Sequence, residues 1–137
     1  MDDDRSQTFR ELTALLGALP IGDYLVSEDF SRFLRNHDLE DAWNEYLVLS
    51  RDKPDLYGDS VIKNAFSLFL SHIFHRRREM FLSLFSGLLA DFSRGIPCTL
   101  PVDDIKPFLL LLGYPEAAID HTLFSLRVRQ KADAQTR

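Results

Sequence analysis

Two histidines and a glutamate in the middle of the chain have the spacing of a small metal site. His72, His75 and Glu79 are three and four residues apart, so an α-helix would place all three on one face. A zinc ion in a protein normally takes four ligands, and no fourth residue with matching spacing accompanies these three. The arginines beside them would also repel a cation. We therefore predict no metal site and no cofactor, and we expect both histidines to lie at a surface or a helix end.

A compact basic cluster follows the second histidine. Arg76, Arg77 and Arg78, together with His75, could bind a phosphate group or an acidic segment of a partner. They could equally form the rim of a bend, paired with acidic residues from the first half of the chain. We favour this structural interpretation.

The sequence lacks the motifs of common catalytic sites. It contains no G-x-S-x-G turn and no H-E-x-x-H helix, and its six glycines are all separated, which excludes a glycine-rich phosphate loop. Cys98, the single cysteine, has no basic residue within three positions to favour the reactive thiolate. We therefore predict that the protein is not an enzyme. A lone cysteine also favours a reducing compartment, and we predict a cytoplasmic location without a membrane span.

The elements that carry these residues are predicted to be helices. The 35 residues from Ser60 to Arg94 include no proline and one glycine, and they are rich in phenylalanine and leucine. As one helix they would extend about 52 Å, which exceeds the diameter of about 30 Å expected for a compact domain. We predict a break near Arg76–Arg78, with an unbroken helix shared between subunits as the alternative. The whole pattern predicts an all-α, single-domain bundle of about six or seven helices around this long helix or broken helix pair, residues 60–94.

Local signals place several boundaries. Ile21–Asp23 has the composition of a turn, Ser27 is expected to cap the helix that follows it, and Asp38 is expected to cap the next one. We assign residues 1–126 to a single helical domain and residues 127–137 to a basic, polar C-terminal tail.

We expect a core built mainly from phenylalanine and leucine, because 11 phenylalanines are many for 137 residues. The predicted core residues are Leu16, Phe33, Trp43, Leu47, Phe66, Phe69, Ile73, Phe81, Leu84, Leu88, Leu109 and Ile119.

The net charge of −5 is unevenly distributed. Residues 1–60 carry 14 acidic and 6 basic side chains, a net charge of −8, whereas residues 61–137 carry 7 acidic and 10 basic side chains, a net charge of +3. An acidic first half argues against a protein whose whole surface binds nucleic acid. We favour mutual attraction of the two halves across the fold. Head-to-tail self-association and local use of one basic face are the alternatives.

The favoured function is a non-catalytic protein–protein interaction or assembly module of a regulatory or adaptor kind, with a homodimer as one form. The reasons are the split charge and an apolar content that is large for one short chain to bury. The partner is expected to be another protein or a second copy. The predicted partner-binding residues are Phe74, His75, Arg76, Arg77, Arg78, Glu79 and Phe81.

Two other functions remain open. Residues 104–126 resemble a helix-turn-helix, with Leu109, Gly113 and Ile119 at its turn positions, which would suit a small nucleic-acid-associated regulator. Acidic residues in its second helix argue against DNA contact. The basic residues for that function would be Arg76, Arg77, Arg78, Arg127, Arg129 and Lys131. A third function is a sensor domain that holds an apolar small molecule among the phenylalanines.

Overall fold

The chain is an all-α bundle in a computed structural model, which describes residues 3–96 and 99–136, and the side chains of residues 7–96 and 99–128. These ranges contain eight helices and no strand, which confirms the predicted fold class with slightly more helices than expected. The helices are α1 Asp3–Gly17, α2 Ile21–Leu25, α3 Glu28–Asn36, α4 Glu40–Arg51, α5 Asp59–Arg76, α6 Arg78–Gly95, α7 Val102–Leu111 and α8 Glu116–Thr136. None of the helices described is both long enough and apolar enough to cross a membrane.

The long apolar stretch forms two helices rather than one. α5 and α6 have 18 residues each and meet at Arg77, where the predicted break is confirmed. α5 packs against α1 and α4, and α6 packs against α3 and α8. α7 closes the bundle between α1 and α8. The broken helix pair therefore gives each of the outer helices an apolar face to cover.

Aromatic rings fill the core between the front helices and α5. The ring centroid of Phe30 lies 5.0 Å from that of Trp43, 5.3 Å from that of Tyr24 and 6.1 Å from that of Phe69, and all four side chains are buried. Pairs of this kind contribute about 0.5–1.5 kcal/mol each beyond the burial of their area. All the predicted core residues are buried except Leu47, which is half-buried because α4 lies along α5 at the edge of the bundle.

The helix boundaries confirm one predicted cap and correct two other predictions. The backbone N–H of Phe30 donates to the Ser27 hydroxyl at 3.4 Å, as expected for a capping serine. Ile21–Leu25 is a short helix rather than a turn. Asp38 does not cap α4: its φ of 57° is left-handed, and the following N–H, of Leu39, donates back to the Leu34 carbonyl at 2.8 Å. Asp38 therefore ends α3 instead of starting α4.

The last helix extends into the segment assigned to a tail. α8 continues to Thr136, so the backbone of residues 127–136 is helical. Cys98 and its neighbour Pro97 lie outside the described residues.

Candidate partner-binding surfaces

The helix break at Arg77 is tied to a neighbouring helix. The Arg77 backbone, with φ −136° and ψ 54°, leaves the helical region. Its guanidinium donates a hydrogen bond to the carbonyl of His37, the residue directly after α3, at 3.3 Å. This contact supports the predicted bend, because the charged end of Arg77 is bound within the fold. Its partner is a backbone carbonyl and not an acidic side chain, so the expected pairing with acidic residues of the first half is not what holds Arg77.

Arg78 and Tyr114 connect the start of α6 to the turn between α7 and α8, and we call this contact the Arg78–Tyr114 junction. The Arg78 guanidinium donates to the Leu112 carbonyl at 3.2 Å, and the Tyr114 hydroxyl donates to the Arg78 carbonyl at 2.7 Å. The guanidinium carbon also lies 4.9 Å from the ring centroid of Phe74. Burial raises the pKa of Tyr114 to about 12, although Arg78 acts to lower it, so the hydroxyl remains a donor near neutral pH.

Phe74 and Phe81, two predicted partner-binding residues, lie in the core. Their exposed fractions are 1% and 0%, and their ring centroids are 5.7 Å apart in an edge-to-face arrangement. Phe9 of α1 and Tyr114 pack against both rings. A partner cannot reach either ring in this fold, which corrects that part of the sequence interpretation. The predicted residues that stay exposed are His75, Arg76, Arg78 and Glu79.

His72 is paired with a tyrosine rather than with the other two residues of the H-x-x-H-x-x-x-E pattern. Its Nδ1 lies 3.0 Å from the Tyr46 hydroxyl. Burial, and after it the positive charge of Arg76, lower the pKa of His72, while Glu45 acts in the opposite direction. Glu79 lies beyond the break, in α6, so the helical spacing that would place it beside His72 is lost. The groove beside His72 has an acidic wall from α4 and a basic wall from the end of α5.

The ion pairs between described side chains do not connect the acidic half of the chain to the basic half. They are Arg32–Asp29, Arg94–Asp91, Lys106–Glu116, Lys106–Asp120 and Arg127–Asp103. Each pair lies within residues 1–60 or within residues 61–137, and none of them involves α4. The favoured expectation of attraction across the fold therefore has no ion pair among these side chains to support it. The acidic side chains Asp41 and Glu45 of α4 are exposed, and they lie across the groove beside His72 from Arg76 and Arg77.

The outer side of α8 exposes large apolar side chains. Phe124 and Val128 are 64% and 50% exposed, whereas Leu123 and Leu126 face the core. Because they are four residues apart, Phe124 and Val128 lie on the same side of the helix, and we call them the α8 outer face. Arg127 lies beside them and pairs with an acidic residue of α7. At the end of α7, Leu110 and Leu111 are also exposed.

Sequence reasoning missed the α8 outer face. Ile119, Leu123 and Leu126 recur at three- and four-residue spacing and form one stripe of the last helix, and Ile119 is the member of it that was predicted to lie in the core. Phe124 directly follows Leu123 and so lies outside that stripe. This position in the sequence could have indicated that its side chain is exposed.

The outer side of α4 is a second exposed apolar region, with acidic neighbours. Val48 is 54% exposed and Leu49 is 48% exposed, and we call this pair the α4 outer face. Asp41 and Glu45 precede Val48 by seven and four residues, and Asp52 follows it by four, so all three share its side of the helix axis. The acidic side chains are exposed as well.

The basic residues of the nucleic-acid alternative are divided between two places. Arg77 and Arg78 donate to backbone carbonyls at the α5–α6 break, while Arg127 lies about 16 Å along α8 from its first residue. Arg127 is also paired with Asp103. The side chains of Arg129 and Lys131 lie outside those described.

Comparisons of the chain with protein-family models, with curated proteins and with solved structures found no match.

Proposed function

We propose that this chain is a non-catalytic protein–protein interaction module that contacts its partner through the α8 outer face. The observation that carries the proposal is Phe124, whose side chain is 64% exposed on a helix that buries its neighbour Leu123. Removing a phenylalanine side chain from water contributes about 1.5–3 kcal/mol. With Val128 one turn further along, Phe124 offers a partner an apolar anchor of the kind that dominates binding energy at interfaces.

A role without catalysis is supported by what the singled-out polar residues contact. His72 is paired with Tyr46, and Arg77 and Arg78 donate to backbone carbonyls of the bundle. These contacts stabilise the fold. The surfaces that then remain as candidates for recognition are the outer faces of α4 and α8. The proposal keeps the predictions that no cofactor is needed and that the location is cytoplasmic, the latter resting on the single cysteine.

The test compares two variants with matched exposure. Phe124→Ser removes the anchor, and Val26→Ser removes a side chain that is 68% exposed directly after α2, far from α8 in the sequence. Both variants keep the core, so each is expected to melt close to the wild type. The tagged full chain is used to capture partners, which are then purified and titrated, and light scattering of the chain alone reports self-association.

We expect Phe124→Ser to weaken the interaction about tenfold or more, and Val26→Ser to leave it unchanged. Equal affinities for the two variants, whether the partner is a second copy or a different protein, would refute the proposal.

The nucleic-acid function has less support, because two of its arginines are used at the α5–α6 break and a third is paired with Asp103. It predicts a mobility shift at low salt that weakens steeply as salt rises. Binding that Arg76→Glu abolishes and Phe124→Ser leaves intact would favour that function over ours. The sensor function predicts a melting temperature that rises with an apolar ligand.

A further inference from the structure

We propose that the groove beside His72 binds a small zwitterion of the α-amino acid type, with the carboxylate of the ligand on Arg76 and its ammonium group on Glu45. This site is separate from the α8 outer face, so it goes beyond the proposed function and does not depend on it. The inference rests on the size of the groove, on the opposed charges of its walls and on the contacts that hold those walls in place.

The groove has the size and the mixed lining of a small-molecule site. Its volume is about 440 Å³, and small-molecule sites in proteins typically measure about 300–1,000 Å³. Leu39 and Ala42 contribute an apolar surface between the charged walls, and Leu39 is almost fully buried. The carbon skeleton of a ligand can therefore leave water while its charged groups meet the walls.

The walls carry opposite charges that do not meet directly. Asp38, Asp41 and Glu45 line one wall, and Arg76 and Arg77 line the other. No ion pair between described side chains joins one wall to the other. The space between the charges can therefore hold a ligand that carries both signs, because each of its charged groups then faces the opposite charge.

Both kinds of charge act on the same place in the groove. Burial lowers the pKa of His72, the positive charge of Arg76 lowers it further, and the negative charge of Glu45 opposes them. The two residues therefore lie within electrostatic reach of one imidazole ring. A ligand with a single charge would be attracted by one of them and repelled by the other, whereas a zwitterion is attracted by both.

Two hydrogen bonds hold the walls in a fixed relation. The Tyr46 hydroxyl lies 3.0 Å from the Nδ1 of His72 and joins α4 to α5. The Arg77 guanidinium donates to the His37 carbonyl at 3.3 Å and joins the end of α5 to the residue after α3. Walls that are already in place lose little freedom when a ligand binds, and this preorganisation favours binding.

The experiment begins with calorimetric titration of each standard L-amino acid into the full wild-type chain. The amino acid that binds best is compared with its N-acetyl derivative, which lacks the ammonium charge, and with its amide, which lacks the carboxylate. We expect each derivative to bind about tenfold more weakly or worse, because one of the two charge-assisted contacts is lost. In NMR spectra, the ring signals of His72 should shift on binding, while those of His121 in α8 should not.

Two variants locate the site, and each has a matched control. Arg76→Gln and Glu45→Gln remove one charge from each wall, and both side chains are exposed, so the fold is expected to persist. Arg51→Gln and Glu40→Gln remove the same charges from exposed positions that do not line the groove. We expect each groove variant to bind about tenfold more weakly and each control to bind as the wild type does.

Three results would overturn the inference. The first is that no amino acid binds with a Kd below about 1 mM. The second is that the N-acetyl derivative or the amide binds as tightly as the amino acid itself, which also needs no variant. The third is that the groove variants and their controls bind equally well. None of these results bears on the comparison of Phe124→Ser with Val26→Ser, so the proposed function stands or falls separately.

Discussion

Replacing Arg78 with alanine should destabilise the bundle even though the side chain is exposed. Arg78 belongs to the basic cluster that the sequence marks as a possible partner contact. In the structure its guanidinium donates to the Leu112 carbonyl and lies over the ring of Phe74. Arg78→Ala removes both contacts and weakens the connection between the start of α6 and the α7–α8 turn.

The size of the effect follows from these two contacts. A hydrogen bond from a charged group contributes about 1.5–3 kcal/mol. Because Arg78 is exposed, we expect its hydrogen bond to contribute an amount at or below the lower end of that range. A cation–π contact at an exposed position adds about 0.5–1 kcal/mol. We expect a loss of about 1–2 kcal/mol in the free energy of unfolding, which corresponds to a fall of about 3–8 °C in the melting temperature.

Urea denaturation followed by circular dichroism measures this loss, and Arg76→Ala is the matched control. Arg76 belongs to the same cluster and is exposed, so its replacement should change the free energy of unfolding by about 0.5 kcal/mol or less. The reasoning would be refuted if Arg78→Ala were as stable as Arg76→Ala. Such a result would return Arg78 to the list of candidate partner contacts.

Two further predictions concern the same junction and the histidine pair. Gly113 has a φ of +96°, and an added Cβ would lie 2.9 Å from the Arg78 Nη2. Gly113→Ala should therefore lower the free energy of unfolding by about 1–2 kcal/mol. The loss should be smaller in an Arg78→Ala background, because the clash with the guanidinium is then absent. Additive losses in urea denaturation would contradict this. For His72, burial and Arg76 lower the folded-state pKa, so the unfolded chain takes up the proton first. Its stabilisation is therefore complete above an ordinary pKa of about 6.5 and is lost as the pH falls through the lower, folded-state value. His72→Asn keeps an acceptor for Tyr46 but does not titrate, so its stability should fall less on acidification; equal pH dependence in the two proteins would exclude this role for His72.

The helices were predictable because their signals are local. The proline-free, apolar-rich run from Ser60 to Arg94 could only be a long helix or a pair of helices, and the size of a compact domain favoured the pair. Ser27 capped its helix as expected because a serine ahead of two acidic residues is a cap signal that depends on a few adjacent positions.

The errors came from packing between segments distant in the sequence. Phe74 and Phe81 flank the basic cluster in sequence, but α1 and Tyr114 cover them, and no local pattern shows which helix face a distant segment will cover. The same holds for Asp38, whose left-handed backbone serves the end of α3 instead of the start of α4. In α8, Ile119 is buried as predicted, whereas Phe124 is exposed because none of the described helices packs over it.

The placement of the arginines decides which variants can identify a partner. A triple Arg76/Arg77/Arg78→Glu variant would remove two hydrogen bonds to backbone carbonyls and put carboxylates where guanidinium groups now lie, next to the His37 and Leu112 carbonyls. Loss of binding in that variant would then follow from a weakened α5–α6 break as readily as from a lost contact. Phe124 and Val48 lie on outer faces, so their replacement changes recognition while the core remains packed. Variants on the outer faces of α4 and α8 therefore separate binding from folding, whereas variants of the basic cluster do not, because Arg77 and Arg78 are bound to backbone carbonyls of the bundle.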